Sequence, residues 1–202
     1  RENIDEGKEA AESRKTAPRE EAWKDSSLES EAAVQFFEDL AGSRELAEIM
    51  LMEAEKHSIP APLLFALVRA ESSFNPWAIN KNAGSVDRGL FQLNSRSFPA
   101  LAESDFFDPR VNAEYGAAYL RACLDAGENE VVALAMYNAG KRRVDTHGTP
   151  KMTLNYIAKV LDYRDKIEES LKKRFNYREE RHVRVNTRNT PADGVDSAGR
   201  NK

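Results

Sequence analysis

Apolar residues recur at helical spacing through the middle of the chain and thin out sharply at both ends. Val34, Phe36, Phe37 and Leu40 predict a short helix over Ala32–Leu40. Gly42 ends it and Ser43 can cap the next. Leu46, Ile49, Met50 and Met52 give Arg44–His57 a wide apolar face. The break Ile59–Pro62 puts Pro62 in the first turn of a third helix, where its missing N–H costs nothing. Leu63, Leu64, Leu67, Val68 and Ala70 make this helix nearly all apolar up to Glu71. Pro76 biases Asn75 away from helical geometry and stops it.

The helical period then disappears. Trp77–Arg88 is rich in turn formers and reads as a loop or a small hairpin, and Gly89–Pro99 interleaves apolar and polar positions. Asp108-Pro109 opens a helix over Arg110–Asp125, with Val111, Tyr115, Ala118 and Ala122 expected inside. Asn129–Ala139 is a further helix, dense in Val and Ala. Lys141–Pro150 reads as a basic loop. Leu154, Ile157, Ala158 and Leu161 predict a last helix from Thr153 to about Leu171.

The two ends differ from this middle. Residues 1–31 carry ten acids, six bases and only Ile4, Trp23 and Leu28 as large apolar residues, too little to repay the entropy of ordering. From Lys172 onward nine bases and four acids leave a basic tail with little apolar clustering. The expectation is therefore one domain, 32–171, between two charged, disordered tails. A net charge of −4 offers no case for nucleic acid as a partner. No apolar run approaches the roughly 18 residues of a membrane span. The charged start has no apolar core like that of a secretory leader, which an exported protein stripped of its leader would also lack. The single cysteine, Cys123, rules out a disulfide within the chain and reads as a small core residue. His57, His147 and His182 lack metal-ligand spacing, so neither a metal nor another cofactor is expected.

Glu71 is the candidate for chemistry. It ends an apolar helix and is followed at once by Ser72, Ser73, Phe74 and Asn75. Burial and a helix C-terminus both disfavour a carboxylate's charge, which is the setting a general acid needs near neutral pH. The same position also suits an ordinary exposed glutamate. Two later motifs weigh against that: Gly89-Leu90-Phe91-Gln92 and Tyr137-Asn138-Ala139-Gly140.

Together with Glu71-Ser72, and with Tyr156 in the last helix, these motifs resemble the core of lytic transglycosylases of the lysozyme superfamily. The resemblance covers about Glu45 to Tyr163. Phe91 departs from the methionine usual in that pattern. The stretch Asn80–Phe98 is also similar to the hairpin of hen-type lysozymes, with Asp87 where those carry a second carboxylate. The resemblance implies a mainly α, lysozyme-like (α+β) fold with a small loop or β-hairpin beside the catalytic helix. It implies an exported, periplasmic or envelope enzyme acting as a monomer on peptidoglycan glycan strands, with an envelope-spanning machine as a candidate context. Glu71 would be the general acid, with Asp87 across a cleft. Ser72, Gln92, Asn94, Tyr137 and Asn138 would line the substrate site, with Tyr137 bonded to Glu71, and Tyr156 would be either core or site. A hydrolytic muramidase using Asp87 and a non-catalytic wall-binding scaffold are the alternatives.

Overall fold

A computed structural model describes the backbone of residues 31–188 and the side chains of residues 31–175. Of the expected tail over residues 1–31 only Glu31, the first residue of α1, is described; the rest of it and residues 189–202 lie outside the described residues. Seven helices and a three-stranded antiparallel sheet are described: α1 (Glu31–Ala41), α2 (Arg44–Lys56), α3 (Ala61–Glu71), β1 (Ile79–Asn82), β2 (Ser85–Arg88), β3 (Leu93–Asn94), α4 (Pro109–Gly127), α5 (Glu130–Ala139), α6 (Lys141–His147) and α7 (Lys151–Arg188). This is the mainly α architecture expected, and the Trp77–Arg88 segment contains the hairpin.

α3 is the centre. Every residue from Ala61 to Val68 is buried, as an all-apolar helix requires. Phe65 lies 4.2 Å from the Phe37 ring of α1, centroid to centroid, and α2 and α7 pack on the same helix. The caps follow the sequence. The Ser43 hydroxyl accepts from Leu46 N, Asp108 accepts from Arg110 N and Val111 N, and Asn129 accepts from Val132 N.

Two helices are turned about their axes relative to the expected apolar stripes. In α4 the buried residues are Asn112, Ala113, Gly116, Ala117, Leu120 and Cys123; Tyr115, Ala118 and Ala122 face out and Val111 is half-buried. Small residues set this choice. The Phe91 ring sits so close to α4 that a Cβ on Gly116 would come within 2.2 Å of it. In α7, Thr153, Ile157, Val160, Ile167 and Leu171 point inward, whereas Leu154 and Ala158 are exposed.

Two boundaries also differ. The basic stretch after Gly140 is not a loop but the short helix α6, supported by the Lys141–Asp145 pair one turn apart (2.5 Å). α7 does not stop near Leu171 but continues to Arg188. Helix-favouring Lys, Arg and Glu dominate that extension. Its first part is held by contacts to α1: Arg174 bonds Asp39 (3.1 Å) and covers the Phe36 ring, and Phe175 is partly buried against the core.

Candidate active site

The site forms where the C-terminal end of α3 meets the sheet, α5 and α7. α3 ends at Glu71, and the Ser72 N–H closes the helix by bonding the carbonyls of Val68 and Arg69. The carboxylate therefore projects from the most buried helix at the point where packing opens. α7 crosses α3 and brings Tyr156, 85 residues away in the chain, to donate its hydroxyl to Glu71 Oε1 at 2.5 Å.

The register of the sheet builds the opposite wall. Asn80 faces Asp87 across β1 and β2, and Asp87 faces Asn94 across β2 and β3. Side chains two apart on a strand share a face, so Asn82 and Ser85 join them. Asp87 accepts from Asn82 Nδ2 (2.7 Å) and Asn80 Nδ2 (3.2 Å) through one oxygen and from Asn94 Nδ2 (2.6 Å) through the other. Asn94 also donates to Ser85 Oγ (2.9 Å). Asp87 is thus held by three amides, and among the described residues no cation is bonded to it.

Between the walls lies a cleft of about 560 Å³. Glu71, Asp87, Gln92, Asn94, Tyr137 and Asn138 all line it. Of the residues expected at the site, the structure brings these six together, with Tyr156 on Glu71 at their edge. Ser72 is not among the lining residues; its hydroxyl turns back to the Val68 carbonyl at 3.4 Å.

The two tyrosines differ from expectation. Tyr137 does not bond Glu71. It donates to the Phe91 carbonyl (3.0 Å) and so fastens α5 to the turn between β2 and β3. The hydroxyl bonded to Glu71 is instead that of Tyr156. Gln92 has a comparable architectural part. Its backbone is left-handed (φ 49°), and its Nε2 bonds the carbonyls of Ala78 and Gly89. Asn138 accepts from Thr153 Oγ1 at 2.8 Å, linking α5 to the start of α7.

Sequence reasoning missed several contributors. Asn80 and Asn82 hold Asp87, and their alternation with it along the hairpin was the available signal. Phe98 and Tyr119 line the cleft, packed edge to face, with the Tyr119 ring tilted against Tyr137 at 5.1 Å between centroids. Such an aromatic wall suits the apolar faces of sugar rings. Lys159, whose Nζ reaches the Ala70 carbonyl (3.3 Å), places a cation near Glu71.

Burial pushes the Glu71 carboxyl up to about 7; the Tyr156 hydroxyl opposes this, the negative charge of Asp87 adds to it, and Lys159 opposes it. Burial, with the nearby Glu71 charge, holds the Tyr137 and Tyr156 phenols well above their ordinary range, so both act as donors. The arrangement is one half-buried acid with a raised carboxyl and one amide-held acid in a polar groove. Among the described residues no group of three His, Cys, Asp or Glu side chains is placed to hold a metal ion.

A helical core, a three-stranded hairpin sheet and an acid at the end of the central helix define the lysozyme-like class of fold. The chain belongs to the Transglycosylase SLT domain family, whose sequence model matches residues 48–158. It is 32% identical over 93 residues to protein IpgF of Shigella sonnei, covering 43% of this chain and 61% of that protein. It is 33% identical over 97 residues to invasion protein IagB of Salmonella typhimurium, covering 44% and 61%. With membrane-bound lytic murein transglycosylase C of Pectobacterium atrosepticum the identity is 30% over 76 residues, covering 33% and 21%. The chain thus spans about three fifths or less of these relatives. Among solved structures, an inactive mutant of lytic transglycosylase Slt from Pseudomonas aeruginosa superposes with a TM-score of 0.53 at 27% identity. It covers 62% of this chain and 24% of that one.

Proposed function

We propose that the chain is a peptidoglycan lytic transglycosylase, cleaving the β-1,4 bond from N-acetylmuramic acid to N-acetylglucosamine. The observation that carries this reading is Glu71, a half-buried acid with its carboxyl raised to about 7 at the floor of a polar cleft. A carboxyl poised near the working pH is suited to give a proton and take one back. Glu71 protonates the glycosidic oxygen as the bond to the anomeric carbon breaks. The Glu71 carboxylate then accepts the proton of the muramic C6 hydroxyl, whose oxygen bonds the anomeric carbon. A 1,6-anhydro ring results, no water is consumed, and the acid is restored.

Tyr156 orients the carboxyl through its hydrogen bond. Asp87, fixed by Asn80, Asn82 and Asn94, steadies the positive charge that develops on the sugar. Gln92, Asn94 and Asn138 face the substrate, while Gln92 and Tyr137 also hold the turn that shapes the groove. Ser72 serves the helix end. The setting we assign is the bacterial envelope, outside the cytoplasm, with glycan strands as the partner and an envelope-spanning machine as its context. The name of the Salmonella relative, invasion protein, is in keeping with that context.

The muramidase alternative would take the amide-held Asp87 of the same cleft as its second carboxyl group. Product masses separate the two, since anhydro and reducing ends differ by one water. Digestion by the wild type should yield anhydromuramic ends; reducing muramic ends would overturn the transglycosylase reading. Asp87→Asn should slow turnover only modestly and leave the anhydro products unchanged, because the substrate's own acetamido oxygen is already held beside the anomeric carbon. A loss as large as that from removing Glu71 would make Asp87 essential instead.

The pH dependence has a definite sign. Glu71 must start protonated, so the rate should fall as pH rises through about 7. A pH–rate profile of kcat/KM on a soluble glycan checks this; an alkaline limb far above that value would mean that another group supplies the proton.

A further inference from the structure

The proposed activity uses the cleft between α3 and the sheet, but the groove does not end there. Ala139 and Gly140 line that cleft and also a second cavity of about 610 Å³ next to it. The other residues lining the second cavity are Arg142, Arg143, Thr146 and His147, all from α6. Its character is opposite to that of the cleft. The cleft presents two carboxyl groups, Glu71 and Asp87, whereas among the described residues no acid lines the second cavity.

The two arginines are available to a ligand. The acid on α6, Asp145, is taken by Lys141 at 2.5 Å, and neither arginine forms an ion pair with an acid among the described residues. The Thr146 hydroxyl donates to the Arg142 carbonyl (2.7 Å), so its contact with His147 Nδ1 (2.5 Å) has Nδ1–H as the donor. His147 Nδ1 and the Thr146 hydroxyl proton are thereby committed within the helix. The guanidinium groups remain as the free polar donors of the pocket, and a guanidinium fork matches a carboxylate in geometry.

We propose that this cavity is a second binding site, which receives a carboxylate of the peptide stem carried by the muramic residue. This rests on the reading of the cleft as a glycan site. The charge pattern gives the reason. A glycan strand is uncharged along its sugar backbone and anionic on its peptide branches. The branches are repelled by Asp87 and attracted one step along the groove. Gly140 (φ 86°) separates α5 from α6 with nothing within 4 Å of where its Cβ would be, leaving room for a branch to pass between the two cavities.

Binding tests this without depending on turnover. The full chain carrying Glu71→Gln is titrated calorimetrically with a muramyl disaccharide bearing its tetrapeptide, and with the same disaccharide lacking the peptide. The peptide-bearing probe should bind about tenfold more tightly, as charge-assisted hydrogen bonds to a carboxylate allow. Adding Arg142→Gln and Arg143→Gln should abolish that preference, and Arg142→Lys with Arg143→Lys should retain part of it. Equal affinity for the two probes would overturn the proposal, as would a preference that survives the glutamine substitutions. An inactive wild type would sink the transglycosylase reading alone, since the affinity ratio is read without catalysis.

Discussion

Glu71→Gln should slow cleavage of peptidoglycan on the order of 10² to 10⁴-fold. The amide keeps the shape of the side chain, and its oxygen can still accept from the Tyr156 hydroxyl, so fold and sugar binding should persist. What is lost is the transferable proton. A variant cleaving at near wild-type rate would remove Glu71 from the reaction. The same substitution should also stabilise the protein, and with a particular pH dependence. Folding raises the Glu71 carboxyl from 4.5 to about 7, so the folded state holds that proton more tightly than the unfolded chain does. Stability from this group is fully present below about 4.5 and is lost as pH rises through about 7. Above that, the wild type carries an ionised acid against its core at a cost of about 1–3 kcal/mol. Glutamine cannot ionise, so the variant should melt higher than the wild type at pH 8, and the gap should close below pH 4.5. A gap that is constant with pH would contradict the raised carboxyl.

Asn112→Ala should be the most damaging single change away from the site. Asn112 is buried on α4 and serves three backbone groups at once. Its Oδ1 accepts from Phe91 N (2.8 Å), and its Nδ2 donates to the carbonyls of Phe106 (2.8 Å) and Arg88 (3.1 Å). Phe91 lies on the turn between β2 and β3, Arg88 is the last residue of β2, and Phe106 lies on the 3-10 turn Asp105–Phe107 before α4. Alanine would strand them in a dry interior, for a loss of roughly 3 to 5 kcal/mol in urea denaturation. Asn112→Asp should be worse than alanine, because it sets a carboxylate against two carbonyl oxygens. A loss under about 1 kcal/mol for alanine would mean that water enters and replaces the amide.

Asn112 also shows where the sequence stops being legible. It stands in the first turns of a helix, where asparagine is unremarkable, and its partners lie 6 to 24 residues away. Local pattern cannot reveal such a clamp. The order of the elements, the caps Ser43 and Asp108, and the end of α3 at Glu71 are local in origin and could be read directly. The rotation of α4 could not. Leucine and tyrosine dominate a periodicity count, but Gly116 decides the packing by having no side chain where Phe91 must fit. The same limit explains the exchange of the two tyrosines. Either could meet Glu71 on grounds of chemistry, and the crossing of α7 over α3 selects Tyr156. The Trp77–Arg88 segment was legible as a loop or small hairpin, but the register that puts Asn80, Asn82, Asp87 and Asn94 on one face was not. The length of α7 escaped notice because its docking beyond Leu171 depends on Arg174 and Phe175 rather than on an apolar stripe.

Cys123 gives the molecule an internal gauge of its own breathing. It is the single thiol in the sequence, 3% exposed between α4 and α5, and burial pushes it up to about 11. At neutral pH an alkylating reagent meets neither an accessible sulfur nor a thiolate. Labelling must wait until α4 and α5 part, so its rate counts those openings. Followed with and without glycan in the groove, that rate reports how far a bound strand quiets the helix pair whose members carry Tyr119 and Tyr137 to the cleft.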